Sequence, residues 1–227
     1  MQLRHLAAGI AMALGASVAS ASPVIIDGAN NLPASGDCTF ACLTSYQQVY
    51  SASLFSGTVD ISKVEFRYSY DGNAWSAGNN YSLTIGIANG GVNGLTANQA
   101  GNMASSQLFG TQSFTGTSTQ GGWYGFSGNY VYDSSLGDLI IWIQRTAGSS
   151  SSVSTDYNGD SGGEFSRTFA GDGWCSLASA CVGSDYGNVT RLEVNAAQGN
   201  DLPEPASLAL VGLGLLAAAG VRRRAAR

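Results

Sequence analysis

The sequence predicts an all-β fold, an antiparallel β-sandwich of jelly-roll type, set between two short apolar ends. Three observations carry this. Apolar residues in the body alternate with polar ones over short runs, and a period of two buries one face of a strand. Clusters of glycine and asparagine, residues that tolerate positive φ, punctuate those runs. No stretch of the body sustains a helical period over three turns, and no internal repeat points to a propeller or solenoid. About eight to ten strands fit one sandwich better than a closed barrel.

Residues 46–51 open the series and 58–61 follow. In 63–70, Val64, Phe66, Tyr68 and Tyr70 share one face, with Lys63, Glu65, Arg67 and Ser69 on the other. Asp71-Gly72-Asn73 then turns the chain. Leu83, Ile85 and Ile87 alternate with Thr84 and Gly86 until Asn89-Gly90-Gly91 ends that strand. Ala97, Ala100 and Met103 are spaced as on one side of a helix, so 96–106 is expected to hold a one- or two-turn helix inside a connection. Strands at 111–115 and 123–126 flank the Gly121-Gly122 turn. Residues 139–145 form another strand, on which Trp142 is out of phase with Ile141 and Ile143 and so faces the other side of the sheet. A serine-rich loop at 149–154 precedes strands at 164–169 and 189–194.

Charge excludes several functions. The body, residues 22–200, holds all 22 aromatic residues of the chain and only five basic residues against thirteen acidic ones, a net of −8. Phosphate recognition needs clustered lysine and arginine, so a nucleic-acid partner is excluded. The one histidine, His5, lies ahead of the first apolar tract and is expected to be removed with it. A mature chain without histidine has no His-based triad, no His general base and no His-ligated zinc.

Both ends read as addresses. Arg4 and His5 precede the apolar stretch from Leu6 to Val18, and Ala19-Ser20-Ala21 supplies the small residues that signal peptidase reads. This order predicts export with a cut after Ala21, giving a signal peptide at 1–21 and a body at 22–200. In the tail, 201–227, Pro203-Glu204-Pro205 precedes an apolar run from Ala206 to Val221 and a basic end with Arg222, Arg223, Arg224 and Arg227. That run is short for a bilayer span but crosses with local thinning, and the arginines hold its end in the cytoplasm. The motif, apolar helix and arginine cluster together resemble the PEP-CTERM sorting signal of Gram-negative bacteria, whose tail also goes under the label of ice-binding protein C-terminal domain. The resemblance implies a single transmembrane sorting helix, cleavage by an exosortase near Pro203-Glu204-Pro205, and delivery through an inner-membrane intermediate to the cell surface or extracellular matrix. Tyr46-Gln47-Gln48-Val49-Tyr50, Leu54-Phe55-Ser56-Gly57 and the run from Tyr132 to Leu139 are similar to segments of PEP-CTERM proteins with β-sandwich bodies. No catalytic residue is carried over with that similarity.

Within the body, Cys38, Cys42, Cys175 and Cys181 form an even set in an oxidising compartment and predict disulfides. Four cysteines allow three connectivities, of which the local bridges 38–42 and 175–181 are the simplest. Asp156, Asn158 and Asp160 place oxygen atoms at alternate positions, as calcium loops do, but Ser161 and Arg167 depart from the EF-hand pattern. They are a weak calcium candidate, and neither another metal nor a cofactor is called for. Glu65, Glu164 and Glu193 lie on predicted strands and supply the only acid–base pairs a hydrolase could use. Trp75 and Trp174, beside glycine, asparagine and serine in expected loops, are candidates for stacking on sugar rings. The expected function is that of an exported structural or adhesive protein and not an enzyme. The alternatives are a carbohydrate-binding module holding neutral exopolysaccharide and, behind it, a glycan-active hydrolase.

Overall fold

The computed structural model describes residues 22–27, 35–38, 40–159, 162–171, 173 and 175–196. The chain divides into two compact units, Met1–Ala196 and Ala197–Arg227, and every described residue lies in the first. It is all-β. The strands are β1 (Ser22–Ile26), β2 (Ser35–Cys38), β3 (Ser45–Tyr50), β4 (Thr58–Arg67), β5 (Asn80–Ala88), β6 (Met103–Gln112), β7 (Trp123–Asp133), β8 (Leu139–Ala147), β9 (Ser154–Asn158), β10 (Phe165–Ala170), β11 (Cys181–Gly183), β12 (Gly187–Asn188) and β13 (Thr190–Ala196). No helix among the described residues is long and apolar enough to cross a membrane. The expected signal peptide, the sorting helix and its flanking motifs lie outside the described residues.

All strand pairings are antiparallel, in a four-stranded sheet ordered β1-β13-β4-β7, a six-stranded sheet ordered β11-β10-β3-β8-β5-β6, and a small sheet β12-β9-β2. With β1, β3, β4, β5, β6, β7, β8 and β13 counted from one to eight, the two larger sheets read 1-8-3-6 and 2-7-4-5. The segment between β8 and β13 adds β10 and β11 beyond β3. One apolar core draws on both larger sheets, with Ile61, Val64, Phe66, Phe126 and Leu192 on one side and Leu83, Ile85, Leu139, Ile141 and Ile143 on the other. This arrangement is consistent with a β-sandwich. Phe40, in the turn before β3, sits at its aromatic centre: the rings of Phe66, Trp75, Tyr81, Phe114, Tyr124 and Phe126 lie 5.2 to 6.2 Å from its own.

Where alternation was clear, the strands form where it points. In β8 the odd residues enter the core and Trp142 faces outward, half-buried. β4 shows a refinement that period two alone does not supply. A β-bulge at Ser62 adds one residue between Ile61 and Lys63, which switches the parity so that Ile61 and Val64 both reach the core. The strand then ends at Arg67, earlier than expected, and Tyr70 is about half exposed.

The expected helix at 96–106 is corrected. A short 3-10 turn, Gln99–Asn102, is capped by the Asn98 side chain, which accepts a hydrogen bond from the Gly101 amide, and the chain enters β6 at Met103. Ala97 and Ala100 therefore do not share a helix face with Met103. The strand expected at 111–115 is the far end of β6, most of which lies earlier. Its residues 104–108 are exposed on a sheet edge and carry no apolar alternation to announce them.

Candidate functional site

The β5–β6 connection does not hang in solvent; it folds back over the outer face of the six-stranded sheet. Val92 and Leu95 from this segment pack with Val49 of β3 and Ile140 of β8, an apolar patch that fastens one end of the connection to the sheet. The other end is fastened by polar groups. Gln47 Nε2 donates to the Gln99 carbonyl at 2.8 Å, Asn102 Nδ2 donates to Gln47 Oε1 at 3.0 Å, and Gln99 Nε2 donates to Thr168 Oγ1 at 3.0 Å. Asn102 Oδ1 in turn accepts from the amide and hydroxyl of Thr96. Ser45, Gln47, Gln99, Asn102 and Thr168 are all buried, and a satisfied network of this kind fixes one geometry because each broken bond leaves a desolvated polar group.

Trp142 is the outward-facing member of that network. Its Nε1 donates to Ser45 Oγ at 2.7 Å, and Ser45 Oγ donates to Gln99 Oε1, also at 2.7 Å. The polar edge of the indole is thus consumed by the protein. Beside it lies a cleft of about 420 Å³. Trp142 and Gln144 form its floor, residues 97–100 one wall, and Leu177 and Ala178 the other. None of these residues is ionisable.

The second wall belongs to the loop closed by the Cys175–Cys181 disulfide, whose Cα atoms are 5.6 Å apart. A turn at 176–179 projects Leu177, which is 64% exposed. The Ala180 amide donates to the Ala97 carbonyl at 3.3 Å, joining the two walls. Cys42 is also disulfide-bonded, and no described cysteine is free; the Cys38 side chain lies outside the described residues.

Trp75 is not where the sequence placed it. It is 7% exposed, its ring stacks on Phe114 at 4.6 Å, and its Nε1 donates to the Tyr68 hydroxyl at 2.9 Å. Polar neighbours on either side disguised a core residue, because what holds this stretch in place is a distant segment: Ala74 bridges to Thr117 and the Trp75 amide donates to the Gly116 carbonyl at 3.0 Å. It offers no face for a ligand. Trp174 lies outside the described residues, next to the disulfide loop in sequence. Trp123 stands on the outer face of the four-stranded sheet beneath the guanidinium of Arg191, 4.5 Å from its ring centroid.

The calcium candidate is corrected in part. Asp156 and Asn158 belong to strand β9, not to a loop; the Asp156 carboxylate pairs with Arg67, and the Asn158 amide donates to the Asp27 carbonyl at 2.8 Å. Asp160 lies outside the described residues, among which no cluster of three metal-ligating side chains occurs. Two of the three hydrolase carboxylates have structural duties. Glu65 accepts from Arg191 Nε at 2.7 Å and Glu193 from Lys63 Nζ at 2.9 Å, as neighbours across β4 and β13. Glu164 immediately precedes β10, and its main-chain carbonyl accepts from the Ser51 amide at 2.8 Å.

The cleft was half legible. The phase of Trp142 on its strand signalled an outward indole, and the 175–181 cysteines bracketed a pinned loop. Gln99, Asn98, Gln144 and Leu177 gave no signal, since what brings them together is a connection folding back across a sheet.

Compared with known proteins, residues 201–224 match the model of the PEP-CTERM protein-sorting motif. No curated protein and no solved structure matches the chain.

Proposed function

From the PEP-CTERM sorting motif at residues 201–224, we propose that this chain is an exported protein that an exosortase processes, and that it serves as a non-enzymatic structural or adhesive component of the surface or extracellular matrix of a Gram-negative bacterium. The motif is the observation that carries this reading, because it implies export and exosortase processing. The body supports it. We read the order 1-8-3-6 and 2-7-4-5 as a jelly roll, since successive strands cross between the two sheets, except the fourth and fifth, which pair as a hairpin within one. Disulfides suit a protein that works outside the cell. A second reading, a carbohydrate-binding module for neutral exopolysaccharide, is favoured by the uncharged cleft over Trp142.

Intact-mass measurement of protein recovered from outside the producing cell tests the sorting. The expected form begins at Ser22 and lacks Arg222, Arg223 and Arg224. Full-length chain still carrying those arginines outside the cell rejects it.

A further inference from the structure

We propose that the cleft between residues 97–100 and the Cys175–Cys181 loop is a binding site for neutral oligosaccharide, with Trp142 as its stacking platform. The inference rests on the second, carbohydrate-binding reading above and assigns the residues that hold the sugar.

Four features of the cleft select that class. Its volume, about 420 Å³, is in the range of small-ligand sites. Its floor is an indole whose Nε1 already donates to Ser45, so what remains for a ligand is the apolar ring face. A sugar ring presents a face of C–H groups that packs flat on such a surface. Beside the indole, Gln144 and Asn98 carry primary amides, each able to donate and accept, which is what vicinal hydroxyls require. Asn98 is exposed, and its Oδ1 accepts from the Gly101 amide.

Among the described residues, floor and walls carry no ionisable group, and this decides between ligand types. A phosphate or uronate would find no cation here, and a basic peptide no carboxylate, so a charged ligand entering the cleft would lose hydration without replacing it. A purely apolar ligand would strand the two amides. A neutral polyhydroxylated ring satisfies both.

The platform is also held in advance. Trp142 is tied through Ser45 to Gln99, and Gln99 through Thr168 and Gln47 to the sheet, so the floor and the first wall share one buried network. The second wall is closed by a disulfide and tied to the first through Ala180 and Ala97. Preorganisation of this sort lowers the ordering cost of binding. The cleft is open on its outer side, with Leu177 and Ala178 exposed, so affinity should be modest.

The experiment is isothermal titration of the exported chain, extracted in a detergent without a sugar headgroup, with cellohexaose, xylohexaose and mannohexaose, and with hexagalacturonate as the anionic control. At least one neutral hexasaccharide is expected to bind with Kd of roughly 0.1–1 mM. Trp142→Ala and Leu177→Glu should each weaken it tenfold or more, while Trp123→Ala, on the other sheet, leaves it unchanged. Leu177 is exposed, so that variant tests the site even if Trp142→Ala fails to fold. The proposal is overturned if none of the three neutral probes binds at about 5 mM, if hexagalacturonate binds as tightly as they do, or if either folded variant keeps full affinity. Sorting is read by mass and the cleft by titration, so one can fail with the other intact.

Discussion

Trp75 and Trp142 separate what a single residue's sequence context reveals from what it hides. Both are flanked by small or polar neighbours or set among alternating ones, yet only Trp142 had a phase to read: with Ile141 and Ile143 committed to the core, an intervening residue must face out. Trp75 had no strand around it, so nothing local revealed that Phe40, Tyr81, Phe114 and Tyr124 surround its ring. The two substitutions should therefore differ in kind. Trp75→Ala empties the aromatic centre of the core and leaves the Tyr68 hydroxyl without its donor, for a loss of about 3–5 kcal/mol. Trp142→Ala removes a half-buried outer residue and should cost less than half as much. Urea unfolding followed by far-UV circular dichroism measures both. Equal losses would contradict the placement of Trp142 outside the core.

At the scale of elements, alternation located β3, β4, β5, β8, β10 and β13 because each buries one face or both. It failed for β6, a polar edge strand, and for β2, β9, β11 and β12, which are short and owe their existence to partners far away in sequence. Close packing at strand level is equally silent. A Cβ on Gly86 would overlap the Ser105 carbonyl oxygen, so this glycine in β5 permits the irregular pairing with β6, whereas the sequence shows only a glycine in a strand. The 175–181 loop was legible as an element but not as a wall. The paired substitution Cys175→Ser with Cys181→Ser frees it. Chain entropy for so short a loop gives a stability loss near the low end of ~2–4 kcal/mol, and the fold should survive. Oligosaccharide affinity should fall by more than that modest stability loss would lead one to expect, because Leu177 and Ala178 no longer hold their places. Titration of the oxidised protein and the double variant, side by side, checks this; unchanged affinity in a folded double variant would show that the loop contributes no wall.

For the whole molecule, the order of the sheets was beyond sequence reasoning except as a class. Alternating strands say that a sandwich will form, but which strand neighbours which is fixed by pairings as distant as β1 with β13. Those pairings close the core over tyrosines whose hydroxyls face inward, and this has a consequence at high pH. Tyr50, Tyr81 and Tyr132 are fully buried, and burial pushes each hydroxyl above its ordinary value; at Tyr50 nearby Tyr46 raises it further, and near Tyr132 the carboxylate of Asp138 acts in the same direction. A tyrosine is neutral until it loses its proton. Below about pH 10 the folded and unfolded chains therefore both keep these protons, and stability does not change with pH through them. Above it the unfolded chain releases them while the folded chain cannot, so stability falls as pH rises toward the folded-state values. The slope is about 1.4 kcal/mol per pH unit for each hydroxyl held neutral. Urea midpoints should accordingly be flat through pH 8–9 as far as tyrosine is concerned and drop steeply from about pH 10 upward. The rise in tyrosinate absorbance of these three residues should coincide with loss of the β-sheet circular dichroism signal. Full titration of all ten tyrosines with the sheet signal intact would show that the core is open to hydroxide, and the closed two-sheet packing would then be wrong.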